Sequence, residues 1–354
     1  MFLKKLLLRN FRNYSSYLVE FSPNINVICG NNGVGKTNLL EAIYLLSTGR
    51  SFRTTNLKDL IKEKANYFYI EAEIEIKNLT QIIKIYYDLK TKKITINSKE
   101  YQTFSILIGI LCNVLITSDD FNIINGKPQT RRNFLNLHLA QENPLYIHHY
   151  LRFIKALKQR NYLLKTNKFH LMKGFDHELC KSGSFLINKR FELVDSLKSP
   201  LNLFFKEIST IDLNAKIKYF SFIDSNLNLD ETIKNYLQEL EKTKEKEKDF
   251  KTTLVGPHRD DFQILLSKKI AKNFASEGQK KLLLFSLKLA QWEILTKTLN
   301  LRPIFLIDDF DAHLDNLHKN NLKNALKTLT QVFITIPKVD EKYDNANIIN
   351  IENI

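Results

Sequence analysis

The run Gly30-Asn31-Asn32-Gly33-Val34-Gly35-Lys36-Thr37 constrains this chain more than any other feature. It follows a short apolar stretch, Ile25 to Cys29, that reads as a buried strand, and it opens a helix predicted from about Lys36 to Leu46. Strand, glycine turn and helix in that order fit G-x-x-x-x-G-K-[ST], a phosphate-binding loop. The glycines let the backbone curl so that its N–H groups point at the β- and γ-phosphates of a nucleotide, and the helix N-terminus adds favourable charge. Lys36 would bridge the β- and γ-phosphates as part of the catalytic apparatus, and the Thr37 hydroxyl would ligate Mg²⁺. The expected cofactors are therefore ATP and Mg²⁺.

Such a loop cannot hold the outer shell of the metal or orient a water by itself, so a second acidic strand end is required. Pro303-Ile304-Phe305-Leu306-Ile307 leads into Asp308-Asp309, an apolar strand that ends in carboxylates. In a parallel sheet the ends of neighbouring strands lie together, which assigns Asp308 to the metal side and Asp309 to the general base. An aspartate is one methylene shorter than a glutamate and reaches a water less well, so turnover is expected to be slow, as in a switch.

Ser276-Glu277-Gly278-Gln279 stands directly before a strongly apolar helix, about Gln279 to Lys297. It looks like the S-x-G-Q core of the ABC-type ATPase signature, in which Ser276, Gly278, Gln279 and the first helical N–H groups form an anion cup. Serine also caps helices for purely structural reasons. In that superfamily the cup faces the phosphate loop of the opposite subunit, which makes ATP the glue of a head-to-tail homodimer.

At 354 residues the chain has room for about two domains. Alternating segments (Tyr67 to Ile76, Gln81 to Asp88, Lys93 to Asn97) make the first part β-rich, and from about Asp119 apolar residues recur at helical spacing. Strand-like pieces follow at Thr252 to Val255, Phe262 to Leu266 and Gln331 to Ile336, while the mixed-sign run Glu239 to Lys251 reads as a solvated helix end or linker without chemistry. The expected fold class is α/β: an ABC-type P-loop ATPase head, a mixed sheet with flanking helices, plus a second, mainly helical lobe. The core lobe is placed at 1–116 and 299–354, and the helical lobe at 117–298.

Lys and Arg number 53 against 38 Asp and Glu, a net charge of +15 that suits a polyanionic partner, although a diffuse lysine excess also serves solubility. Cys29, Cys112 and Cys180 have no C-x-x-C spacing and fit a reducing cytoplasm. The apolar start is too short for a signal peptide, and the longest apolar stretch, Phe104 to Ile116, falls short of the roughly 20 residues that span a bilayer. Neither export nor a membrane partner is expected.

Beyond these motifs, several rare words run along nearly the whole chain: Asn10-Phe11-Arg12-Asn13-Tyr14, Asn38-Leu39-Leu40-Glu41-Ala42, Gly49-Arg50-Ser51-Phe52-Arg53-Thr54 and Arg131-Arg132-Asn133-Phe134-Leu135. Further on come Leu157-Lys158-Gln159-Arg160-Asn161, Gly256-Pro257-His258-Arg259-Asp260-Asp261 and Phe274-Ala275-Ser276. In these the chain resembles the RecF family, bacterial DNA replication and repair ATPases of the SMC-like branch. The resemblance implies a two-lobed head without a long coiled coil and ATP-dependent dimerisation on double-stranded DNA near single-strand gaps. It also implies cooperation with RecR and RecO in placing RecA, a part in the SOS response, and a slow, DNA-stimulated ATPase.

Carried over by position, Arg12 and Arg53 become candidate nucleotide contacts, with a surface or DNA-facing role open for each, and Asp315 matches the aspartate of the loop that crosses the dimer interface. Departures from the family pattern are Ala312 where a small hydroxyl residue is usual, Glu277 beside the anion cup, and Ser118-Asp119-Asp120 for Pro-Glu-Asp. Gly256 to Asp261 fits either packing or a phosphate contact. His258-Arg259-Asp260 spells part of a kinase catalytic loop, but Leu265 stands where the metal-binding asparagine would be, so that reading is dropped. Two alternatives stay open, the ATP-binding subunit of a transporter and an ATP-gated DNA clamp that does not hydrolyse.

Overall fold

The computed structural model describes residues 1–210, 212–224, 227–309, 316–337 and 346–351. The chain divides into two compact units, residues 1–120, 207–210 and 285–354 forming the first and 121–206 with 211–284 the second. In chain order the elements are β1 (Phe2–Phe11), β2 (Tyr14–Glu20), β3 (Ile25–Cys29), α1 (Lys36–Thr48), β4 (Tyr67–Ile76), β5 (Leu79–Asp88), β6 (Lys92–Ile96), β7 (Lys99–Tyr101) and β8 (Asn113–Ile116). Next come α2 (Asn122–Asn125), α3 (Pro128–Glu142), α4 (Pro144–Lys165), α5 (Lys173–Ser209), β9 (Ala215–Phe220), α6 (Leu229–Phe250), β10 (Asp261–Leu266), β11 (Lys269–Ile270), α7 (Ala271–Phe274) and α8 (Glu277–Leu299). The chain closes with β12 (Ile304–Ile307), α9 (Asn316–Lys327), β13 (Val332–Ile336) and β14 (Asn347–Asn350).

In the first unit the two strand directions are divided between two sheets. One is antiparallel, in the order β2-β1-β4-β5-β6-β7. Its β4 shows why alternation is legible: Phe68, Ile70, Ala72 and Ile74 are fully buried, while Glu71 and Glu73 point to the other face. The other sheet is parallel, in the order β14-β3-β13-β12-β8. Its central strands are buried at every position of β12 and β13, which is the condition for the unbroken apolar runs seen in sequence. The side chain of Gln331, fully buried, ties the sheets together: its carbonyl accepts from the Leu3 N–H at 2.8 Å, and its amide donates to Leu3 O at 2.8 Å and Ser22 O at 2.9 Å.

The second unit is mainly helical, with the small antiparallel sheet β11-β10-β9. Helix α6 begins at a reciprocal cap in which Asn228 and Glu231 bond each other's backbone N–H groups. The run Glu239 to Lys251 is the end of that helix, and most of it is solvated, with Lys242, Lys244 and Lys248 each paired to a glutamate three residues earlier. Glu247 departs from that reading. It is fully buried, pairs with Arg160 at 2.7 Å and accepts the Leu254 N–H at 2.7 Å, so the segment does carry a structural ion pair. Arg160 also donates to Asp176 at 2.6 Å and to the Thr253 hydroxyl at 2.9 Å.

Thr252 to Val255 is not a strand, contrary to its apolar, β-branched composition. Its backbone donors are taken by side chains instead: Thr253 N–H by Asn161 at 2.8 Å and Leu254 N–H by Glu247. The segment from Gly256 to Asp261 likewise spends its polar groups inside the unit. Asp261 receives a two-pronged bond from Arg131 at 2.6 and 2.8 Å, Asp260 accepts from the Tyr219 hydroxyl at 2.6 Å, and the His258 ring meets Thr253 O at 3.1 Å. Burial pushes His258 down to about 4, so it stays neutral.

Candidate nucleotide site

The glycine run leaves the carboxyl end of β3 and enters α1 through residues that only glycine adopts without strain. Gly30 has φ 151° and Gly35 φ 116°; a Cβ on Gly30 would lie 2.5 Å from Ile351 O, and one on Gly35 2.6 Å from the Asn13 amide. The loop is braced from outside. Asn13 donates to Val34 O at 2.7 Å and accepts from Asn38 at 2.8 Å, and the buried Tyr14 hydroxyl donates to Gly35 O at 2.9 Å. The Lys36 ammonium donates to Gly30 O at 2.6 Å and Asn31 O at 2.9 Å. Asn32, Gly33 and Val34 complete the turn, with Gly33 also at positive φ.

Three strand ends converge on this loop. The Thr37 hydroxyl donates to Asp308 Oδ1 at 2.9 Å, from the first turn of α1 to the end of β12. Between β3 and β12 lies β13, and its Thr335 hydroxyl donates to the same Asp308 oxygen at 2.8 Å while accepting the Asp309 N–H at 2.7 Å. Burial raises the pKa of Asp308, the two hydroxyl donors oppose the rise, and the charge of Asp309 adds to it. Asp309 is exposed, with φ 56° in the left-handed region. On the far side, β8 runs beside β12, the Asp308 N–H donates to Ile116 O at 2.9 Å, and just past that strand Asp120 is held by the buried Lys288 at 2.8 Å.

Arg12 and Arg53 sit at the flank of α1 and not both in the same way. The Arg12 guanidinium grips the buried Glu41 carboxylate at 2.8 and 2.6 Å and donates to Asp59 O at 2.7 Å. Arg53 is half-exposed, donates to Asn38 at 2.8 Å and lies 3.9 Å from Glu41. In the second unit, Ser276 precedes α8 and exchanges bonds with Gln279: Ser276 N–H to the Gln279 carbonyl at 2.9 Å, Gln279 N–H to the Ser276 hydroxyl at 3.2 Å. Gly278 is exposed, and among the described residues a Cβ there would meet nothing within 4 Å. Glu277 turns along the helix to Lys280 at 2.8 Å. Asp315 and Ala312 lie outside the described residues.

Chemically, a glycine loop at a helix N-terminus suits a phosphate, which backbone N–H groups there can bond. Thr37 and Asp308 supply one hydroxyl and one carboxylate, the sparse hard-oxygen set that Mg²⁺ takes when it keeps most of its waters. Among the described residues no group of three or more His, Cys, Asp and Glu could hold a metal by itself.

The family model for the RecF/RecN/SMC N terminal domain matches residues 2–350. A DNA replication and repair protein RecF of Protochlamydia amoebophila is 38% identical over 336 residues, 95% of this chain and 94% of its own length. The chain belongs to the RecF family. A solved structure of the recombination mediator protein RecF-ATPrS in the RecFOR pathway matches with TM-score 0.90 at 30% identity, covering 99% of this chain and 97% of that one. An SMC head bound to the C-winged helix domain of ScpA matches with TM-score 0.59 at 18% identity, covering 99% of this chain and 94% of that one, a likeness of fold alone. RecF membership sets aside the transporter reading.

Residue-by-residue reading missed Thr335, Glu41, Asn13 and Tyr14 as parts of this site. Two of them left a trace: Thr335 is a hydroxyl inside an aliphatic strand, and Glu41 is a carboxylate on the apolar face of α1.

Proposed function

We propose that the chain is an ATP-operated switch of recombinational DNA repair and replication. The observation that carries this reading is the 2.9 Å bond from Thr37 to Asp308, which puts the phosphate loop and the acidic strand end at one point. The full-length match to a RecF whose structure is described with an ATP analogue supports the choice of nucleotide.

In this reading the loop's N–H groups and Lys36 hold the β- and γ-phosphates, Asp309 accepts a proton from the attacking water, and Thr335 fixes where that carboxylate starts. A Mg²⁺ held by Thr37 and Asp308 would supply neutralisation of the phosphate charge. Arg53 stands free enough to turn toward a phosphate. Arg12, anchored on the buried Glu41 carboxylate, is the second arginine offered to the nucleotide.

The γ-phosphate is met from the other side by Ser276, Gly278 and Gln279 of a second copy, giving a head-to-tail dimer in which Asp315 belongs to the crossing loop. Gly278 supports this, because among the described residues nothing lies where its Cβ would stand, whereas an approaching group would need that space. Binding to duplex and gapped DNA, slow DNA-stimulated hydrolysis, and work with RecR and RecO in loading RecA in the cytoplasm complete the proposal. No described helix is long and apolar enough to cross a membrane.

The test is equilibrium binding of a fluorescent ATP analogue with and without Mg²⁺. Thr37→Ala and Asp308→Ala should each remove the Mg²⁺-dependent part of the affinity, about tenfold or more, and leave the Mg²⁺-free part. Equal affinities with and without Mg²⁺ in wild type would end the assignment of the pair.

A further inference from the structure

Between Glu142 and Asp176 the chain carries no acidic residue but seven basic ones: Arg152, Lys155, Lys158, Arg160, Lys165, Lys168 and Lys173. The structure sorts them. Arg160 is buried against Asp176 and Glu247, and Arg152 is paired with Glu178, so the nearest carboxylates that follow the acid-free stretch are already in use. Lys155, Lys158 and Lys165 are exposed on α4, and among the described residues none of the three has a carboxylate within ion-pair distance. The contrast with α6 is internal to the same unit: there each of Lys242, Lys244 and Lys248 is neutralised by a glutamate on its own helix.

At 100° per residue Lys155, Lys158, Tyr162 and Lys165 fall within about 80° of one another, on the face opposite Phe153, Arg160 and Leu164, which are buried. From Lys155 to Lys165 the row is about 15 Å long. Phosphates succeed each other about every 3.4 Å along one strand of a duplex, so the row spans roughly four of them. Leu151, Ile154 and Tyr162 are also exposed on or beside this face, interspersed with the lysines. A straight row of unpaired ammonium groups on a rigid helix has its complement in a regular polyanion.

We infer that the outer face of α4, through Lys155, Lys158 and Lys165, is a docking rail for the phosphate backbone of double-stranded DNA. The inference rests on the DNA-binding reading above and locates it. The rail reads no base sequence, since lysines on phosphates position a duplex without identifying it.

The experiment is fluorescence anisotropy of a short labelled duplex against the full chain with ATP and Mg²⁺, across a range of salt. The proteins are wild type, Lys155→Gln/Lys158→Gln/Lys165→Gln, and Lys242→Gln/Lys244→Gln/Lys248→Gln as a charge-matched control on α6. Removing three phosphate contacts should flatten the log–log salt slope by about 3 and weaken binding on the order of 100-fold at about 0.15 M salt, with the control unchanged. Should the triple variant fold poorly by circular dichroism, Lys158→Gln alone should flatten the slope by about 1.

Wild-type binding with no loss in the α4 variants overturns the rail and leaves the DNA-binding reading intact. A wild type that binds no duplex overturns both. A loss of affinity with an unchanged slope gives the face another role and overturns the rail.

Discussion

The hydroxyl of Thr335 can be removed without changing the shape of its side chain, and the consequence can be worked out. Thr335→Val deletes a bond to the Asp308 carboxylate at 2.8 Å and leaves the Asp309 N–H, now at 2.7 Å from that hydroxyl, without its acceptor. A hydrogen bond to a charged group contributes about 1.5–3 kcal/mol and an orphaned donor costs about 1–3 kcal/mol; the Asp309 side is near the surface, so the total should be about 2–4 kcal/mol. Thr335→Ser keeps both bonds and loses one buried methyl, about 1 kcal/mol. The chain's single tryptophan, Trp292, reports the right unit: it is buried in the part of α8 that belongs to the first unit and donates to Pro303 O at 2.7 Å. With a slope of about 3 kcal/mol per molar urea, tryptophan fluorescence should show a midpoint lowered by about 1 M for valine and by much less for serine. A valine variant that melts with wild type, or a serine variant as weak as valine, would refute the reasoning. ATP turnover should fall in the same order, because the same hydroxyl fixes the backbone of Asp309.

Arg160→Met strands Glu247 as a buried charge and should cost the second unit about 3–5 kcal/mol in urea followed by circular dichroism; Arg160→Met/Glu247→Gln should recover part of it, and no recovery would point to packing alone. His258 is held neutral with a pKa near 4, below its unfolded value of about 6.5, so its contribution is complete above pH 6.5 and is lost as pH falls toward 4. That amounts to up to about 3 kcal/mol; the difference in urea stability between wild type and His258→Gln should shrink over that window, and a pH-independent difference would contradict it. Gly30→Ala, at φ 151° and against Ile351 O, should weaken ATP-analogue binding and cost on the order of 1–3 kcal/mol in tryptophan-monitored urea unfolding, and a variant as stable and as tight-binding as wild type would show that the loop tolerates a side chain.

What could be read from sequence follows physical range. The alternation of β4, the unbroken apolar β12 and β13, and the glycine loop are local patterns, and each element formed within a few residues of its expected bounds. The meeting of Thr37 with Asp308 was legible because parallel strands put their carboxyl ends on one edge. Thr335 was not, since strand order is a tertiary fact: nothing in the sequence says that β13 lies between β3 and β12. Arg12 shows a second thing that sequence position hides. An arginine near a phosphate loop suggests a phosphate contact, and the structure adds an anchor on the buried Glu41 carboxylate that residue spacing does not reveal. Thr252 to Val255 misled for a third reason, as β-branched composition says nothing about side chains elsewhere that take over a backbone's hydrogen bonds.

The central claim is that ATP joins two copies through the loop of one and the Ser276 cap of the other. Light scattering of Asp309→Asn, which should bind ATP without turning it over, measures this directly. With ATP and Mg²⁺ the mass should be twice that of the chain, returning to the single-chain mass with ADP or when Ser276→Arg is added, although the double variant still binds the nucleotide. A single-chain mass under ATP, or a dimer that Ser276→Arg leaves whole, would contradict the account.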